Sequence, residues 1–234
     1  TSRMRFYSGV VEAAGNARLT FAPDVIITGA SDSSHVHGVV YQEGSGYKLF
    51  PIGDGVAYLP VELMDVKEKS SLIGVRALRF GNMLPVLPVG FDAMSHDFYW
   101  HLDVARGSIS SPIVLPLQNA SWAASEDDIV VVQSETMTAG FTSIGRLDNK
   151  DLSQGRIGSA FAVTKPFVAL ASAANDELTV YNAVSNNGDG LNEFLRIENI
   201  EHYWPNKFSV FNRWGDKVFE VVNYDNNARA FRGR

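Results

Sequence analysis

The chain has 234 residues, 45% hydrophobic and 20% charged, enough to bury a core as one large domain or two smaller ones. Its formal net charge of −6 argues against nucleic acid as a partner, because phosphate neutralisation needs a basic face, and Arg3, Arg5, Arg229, Arg232 and Arg234 read as solvated ends. No cysteine is present, which removes disulfides, thiolate nucleophiles and cysteine-bound zinc together.

No run reaches the roughly 20 apolar residues of a membrane-spanning helix. The most apolar stretch, 159–174, is interrupted by Lys165 and Pro166. The opening TSRMRFYSG has neither an apolar signal core nor an initiator Met, so a leader is expected to have been removed, or the chain to be an internal fragment.

Helical periodicity is almost absent. Short runs of Val, Ile, Phe and Tyr alternate with turn residues about every ten positions, which predicts an all-β sandwich. In chain order the expected strands are 19–21, 25–28, 35–42, 47–52, 56–63, 72–80, 97–104, 113–117, 128–133, 141–144, 159–163 and 167–172. Prolines 51, 60, 85, 88, 112, 116 and 166 fall at their margins, where a missing ladder donor is tolerable. The small-residue stretch ASAAND, 171–176, marks the expected boundary between a sandwich passenger or stalk, 1–174, and a second piece, 175–234. That piece adds strand-like runs at 178–182, 193–197, 207–212 and 217–222, and is near the lower limit for an autonomous fold. It stops before a seven-stranded sandwich can close, so either further chain or strands borrowed from a partner are expected.

The tripeptide Gly-Asp-Gly occurs at 53–55 and at 188–190, each time as a tight turn closed by its Asp. Catalytic patterns are sparse. GFTSIG, 140–145, lacks the glycine and the helix of a hydrolase elbow and reads as a turn between strands. His35 and His37 could share a strand face and one metal, with His96 or His101 as a third ligand, or mark a strand with one wet face. Glu126, Asp127 and Asp128 are neighbours in a loop rather than carboxylates facing across a cleft. Residues 186–193, NNGDGLNE, have the oxygen donors of a calcium loop in the wrong order. Asn119-Ala120-Ser121 matches a glycosylation sequon too short to weigh. No catalytic residue, metal or cofactor is therefore expected, and the chain is not expected to be an enzyme. A rival reading gathers Tyr99, Trp100 and Trp122 beside Asp97 and Asp103 as a carbohydrate-binding or hydrolytic face of the first region.

The last quarter is more specific. In order it presents Asn187-Gly188-Asp189-Gly190, Asn192-Glu193, Phe194 and Ile197, then Tyr203 with Pro205 and Asn206. Val210 to Gly215, Val218-Phe219 and Tyr224 to Asn226 follow. This succession resembles the gliding-motility-associated C-terminal domain of Bacteroidetes, the type B sorting signal of the type IX secretion system. Asn186 stands where that family usually has Pro, and Trp204 is inserted between Tyr and Pro. The glycine-rich turn and two further strands that follow in the family are absent from this sequence. Read from its residues alone, the same region is a hairpin: Phe208 and Val210 alternate along one strand, NRWGDK turns, and 218–222 returns. Arg213 and Trp214 at its end are costly surface residues unless something binds them, although Trp214 could also plug the end of a small sandwich.

The resemblance implies an incomplete Ig-like sandwich at the C-terminus and a protein secreted to the cell surface in association with the outer membrane. It also implies recognition by the type IX translocon and by an outer-membrane β-barrel that shuttles or anchors it, with a larger adhesin as a further partner. Adhesion or gliding motility is the implied process. The expected partner-facing residues are Asn187, Gly188, Asp189, Gly190, Asn192, Phe194, Asn212, Arg213, Trp214, Gly215 and Tyr224. A weaker resemblance, carried by YKLFPIGDGVAYLPVELMDV, FYWHLDV and SEDDIVVVQ, links about 36–133 to a β-sandwich module of large secreted Bacteroidetes surface proteins, which implies a stalk.

Overall fold

Alternating residues of the central strands divide between two faces, and that division builds the molecule. Along Leu72–Arg79, Ile73, Val75 and Ala77 point inward, and along Phe98–Arg106, Trp100 and Leu102 do the same. A computed structural model describes residues 2–13, 17–81, 86–87, 90–147, 155–173, 178–190 and 192–233, and the fold is all β. The expected boundary at 174/175 lies outside these described residues.

An eight-stranded sheet and a four-stranded sheet form the sandwich. The larger runs Thr142–Ser143, Ile129–Ser134, Phe167–Ala173, Phe98–Arg106, Leu72–Arg79, Val40–Glu43, Leu19–Phe21, with Phe91–Met94 also paired to Phe167–Ala173. The smaller runs Arg156–Gly158, Ile113–Pro116, Val61–Val66, Gly46–Phe50. Between them lies the main core, where Val75, Trp100, Val131 and Leu170 meet Phe50, Leu63, Ile113 and Ile157. The Trp100 indole N–H donates to the Leu59 carbonyl at 3.1 Å, which satisfies its one polar atom inside the core.

A second apolar cluster covers the other face of the same sheet, with Phe80, Phe91, Tyr99, Val132, Phe141 and Ala169. Strands buried on both faces lose alternation, hence the unbroken runs IVVV and FVALA. A third cluster lies wholly beyond residue 178: Ile197, Ile200, Tyr224 and Ala230 are buried, with Phe194, Phe208, Phe219, Val221 and Phe231 packed around them.

Several expected strands take other bounds. The 35–42 run is two strands: Val36–Gly38 joins a three-stranded sheet with Val11–Ala13 and Ile52–Gly53, and Val40–Glu43 belongs to the large sheet. Gly38, at φ +140°, makes the switch, and a Cβ there would lie 2.5 Å from the Ala13 carbonyl oxygen. Arg3–Arg5 and Val11–Ala13, parallel partners of Ile26–Thr28 and Val36–Gly38, were not expected; three-residue strands are too short to show a period. The 159–163 run is not a strand. The ladder is Arg156–Gly158, and Val163 makes only an isolated bridge to Ser111. Of 193–197 only Ile197 is in a strand, Ile197–Glu198.

The first Gly-Asp-Gly turn locks onto the histidine pair. A Cβ at Gly53 would stand 2.5 Å from His35 Cδ2 and would also collide with the Ala57 carbonyl. Asp54 Oδ1 accepts the N–H groups of Ala57 at 2.7 Å and Val56 at 3.0 Å, and Oδ2 accepts Arg79 Nε at 2.6 Å. Burial opposes ionisation of Asp54, but those backbone donors and the guanidinium outweigh it, and the carboxyl is held below its ordinary value.

Gly53→Ala is expected to lower stability by about 2 to 3 kcal/mol, read as the urea midpoint, because rigid backbone and a buried ring must both yield. Because the Asp54 shift is downward, its stabilisation is present above about pH 4, the unfolded value, and fades as the pH falls through the lower folded value. Asp54→Asn should flatten that acid limb in a thermal-melt series.

Candidate functional site

The C-terminal segment is small and poor in ladder hydrogen bonds, and side-chain amides take their place. Asn226 Nδ2 donates to the Ile197 carbonyl at 2.6 Å while Oδ1 accepts the Ile197 N–H at 2.8 Å. Asn206 treats Tyr224 likewise, accepting its N–H at 2.8 Å and donating to its carbonyl at 3.3 Å. Each amide thus pairs with one residue's backbone as a neighbouring strand would. The Tyr224 hydroxyl donates to the Leu195 carbonyl and accepts the Phe231 N–H at 3.1 Å, and its ring packs on Phe208 with centroids 4.6 Å apart.

Tyr224 is therefore a correction to the expected surface. At 0% exposure it offers no atom to a partner, since its ring fills the third core and its hydroxyl is spent inside. Phe194 is half-buried against the same core, with Arg232 over its ring at 5.8 Å.

The remaining expected residues form two separate exposed turns. In the first, Asp189 N–H donates to Asn187 Oδ1 at 3.2 Å, Asn187 Nδ2 donates to Asp189 Oδ2 at 2.9 Å, and Gly190 N–H donates to Glu193 Oε1 at 3.2 Å. Ser185 N–H closes the loop on the Asn192 carbonyl at 2.7 Å, and Asn186 Nδ2 ties it to the Arg232 carbonyl at 3.3 Å. Its side-chain oxygens hold the loop itself.

The second turn ends the hairpin of Lys207–Phe211 with Lys217–Val222. Asn212 Oδ1 accepts the N–H groups of both Trp214 and Asp216 at 2.9 Å, and the Asn212 and Asp216 backbones pair at 2.9 Å. Gly215 supplies φ +89°, which completes the reversal. The turn holds Trp214 72% exposed, with the Arg213 guanidinium 4.2 Å from its ring. Trp214 does not plug the sandwich; it stands in solvent on a frame of five hydrogen bonds around Asn212.

The hairpin's outer face continues from that tip through exposed Phe211, Val218 and Val222, which sequence reasoning did not single out. The signal was the alternation itself: with Phe208, Val210, Phe219 and Val221 inward, the intervening residues must face out. Among them Glu220 takes Lys217 at 2.6 Å and Lys207 at 3.2 Å, contacts that hold its carboxyl down to about 2.

Elsewhere the candidate chemistry does not assemble. His35 approaches the Ser31 carbonyl with Nδ1 at 3.1 Å and accepts the Gly55 N–H at Nε2 at 3.2 Å, so both ring nitrogens are used inside, while His37 is exposed and paired to Glu12. His96 is exposed and His101 lies on the outer face of the large sheet; no group of three potential metal ligands occurs among the described residues. Glu126–Asp128 is a 3-10 turn capped by Ser125. Of the carbohydrate-face candidates, Tyr99 and Trp100 are core residues of opposite faces, and Asp103 accepts the Tyr41 hydroxyl. Asp97, Trp100 and Trp122 do line one crevice, but it encloses about 10 Å³, the room of a single water. A larger apolar groove of about 460 Å³ runs between Val86, Leu87, Phe91 and Phe141 on one side and Trp204 and Tyr224 on the other.

Residues 178–234 match the family model of the CHU_C type IX secretion signal domain. The chain therefore carries a type IX secretion signal domain after its β-sandwich, and it is a substrate of that route. No curated protein and no solved structure matches the chain.

Asn226→Ala leaves the N–H and carbonyl of Ile197 without partners and is expected to cost about 2 to 4 kcal/mol in chemical denaturation. Trp214→Ala, which removes a solvated ring, should change the same midpoint by less than about 0.5 kcal/mol.

Proposed function

We propose that this protein is displayed at the cell surface, and that residues 175–234 act as a folded address read by the type IX translocon and by an outer-membrane β-barrel that retains it there. The observation that carries this reading is the hairpin end. Trp214 is exposed, rigidly framed and stacked by Arg213, and these are the two side chains most enriched at interface hot spots. A large ring held in solvent by a dedicated hydrogen-bond frame loses little entropy on binding, so its exposure favours a partner. The Asn187–Asn192 turn supplies a second, polar contact, with backbone exposed at Gly188 and Gly190.

Residues 1–174 are in this reading a passenger or stalk in an adhesin or gliding-motility complex, and the protein works by recognition, not catalysis. Supporting that view, Tyr99 and Trp100 are spent on packing and Glu126 to Asp128 form a 3-10 turn. Bacteroidetes are the expected source.

In cells that run this secretion route, Trp214→Ala and Arg213→Ala should fold as wild type yet reduce protein at the surface several-fold, with material accumulating inside or released to the medium. Quantitative blotting of periplasm, surface and medium reads the outcome. Removing residues 178–234 should abolish export. Normal surface levels in both point variants would remove the hairpin end from the recognition surface.

A further inference from the structure

The outer face of the eight-stranded sheet carries a polar row that the secretion reading does not use. Tyr41, Gly74 and Asp103 lie side by side on three neighbouring strands. One step along the same face Arg76 stands opposite His101, which is itself opposite Phe167. The missing side chain at Gly74 lets the Tyr41 ring cross its strand, since a Cβ there would lie 2.5 Å from Tyr41 Cε1. The Tyr41 hydroxyl donates to Asp103, and Arg18 covers the ring at 5.1 Å. Burial first, then the Asp103 contact, hold the phenol above its ordinary value, so it remains a donor at neutral pH.

That arrangement occupies the carboxylate of the row with a neutral donor and leaves Arg76 over. Its Nε is buried without a hydrogen-bond partner, and it takes part in none of the ion pairs among the described residues. His101 packs on Phe167 with ring centroids 4.8 Å apart; burial, then the nearby Arg76 charge, keep its imidazole below the ordinary value. A half-buried guanidinium with an orphan donor, on the same row as the paired rings of His101 and Phe167, is an incomplete site in a chain of net charge −6.

We propose that this row binds an acidic sugar, with the carboxylate of a uronic acid unit on the Arg76 guanidinium and the sugar ring against His101 and Phe167. The planar fork of arginine matches a carboxylate, and the aromatic faces suit the C–H surface of a pyranose. A peptide is disfavoured by position. His101 is paired on both sides, with Arg76 and with Phe167, so a strand added beside it finds no open edge. Recognition here rests on side chains alone, and it is independent of how the C-terminal domain is read.

The full chain is titrated with a homogalacturonan hexasaccharide, cellohexaose and hexaglutamate, by calorimetry and by the NMR shifts of the His101 ring. The acidic saccharide is expected to bind and to shift His101, the other two at least tenfold more weakly. Arg76→Gln should weaken the acidic saccharide at least tenfold, and Arg76→Lys, which keeps charge but not the fork, by less. No binding of the homogalacturonan, or wild-type affinity in a natively folded Arg76→Gln, would overturn the site, and equal binding of hexaglutamate would assign it to acidic peptides instead. If Arg76→Gln does not fold, Arg76→Lys and His101→Gln decide: wild-type affinity in both overturns the proposal.

Discussion

The hydroxyl of Tyr224, set between the Leu195 carbonyl and the Phe231 N–H, joins three stretches of chain that share no continuous ladder. Around it the amides of Asn206 and Asn226 each close both backbone groups of one residue. With four buried residues at its centre, this core is too small for burial alone to fix the segment. An unmade backbone hydrogen bond there would cost about 1 to 3 kcal/mol, comparable with the whole margin of a domain of this size. Polar side chains standing in for absent strands are thus the constraint on which the signal domain depends, and Asn223 and Asn226, at φ +62° and +50°, bend the chain so that those amides arrive.

That constraint divides the sequence pattern of the last quarter into two kinds of residue. Tyr224, Asn206, Asn226 and Ile197 are internal and make the fold. Asn187 to Gly190 and Arg213-Trp214 are external and held by local hydrogen bonds that cost the core nothing. Asn212 shows how the two meet: its side chain is spent on the turn, and the product of that expenditure is the fixed attitude of the exposed Trp214.

The strand content was legible because alternation is strict where one face is covered, as at 72–79 and 207–211. Less legible was which sheet a strand joins. Nothing in HVHGVVYQ announces that Gly38 passes the chain from one sheet to another, since that depends on Ala13, distant in sequence, pressing on it. The rival reading gathered Tyr99 and Trp100 onto one aromatic face, but neighbours along a strand point to opposite sides, Trp100 into the main core. The second cluster covers the Tyr99 side too, so both are buried. Tyr224 was misplaced for the converse reason: within a motif, a tyrosine beside Asp and Asn looks like surface, and only the carbonyl of Leu195, distant along the chain, and the N–H of Phe231 show where its hydroxyl goes.

The outer face of the large sheet is not uniform, and the register explains why. Toward Tyr99, Val132 and Ala169 it is apolar and buried, in one cluster with Phe91 and Phe141. Trp204 and Tyr224 line the same groove as Phe91 and Phe141, so the signal domain and the sandwich share a wall there. Two positions along Leu72–Arg79 from Leu78 the face becomes polar at Arg76, opposite His101, and then at Gly74, opposite Asp103. One strand pair thus passes from an apolar to a polar lining within four residues. The change follows from the register alone, since residues two apart on a strand share a face and their neighbours on the next strand set its character.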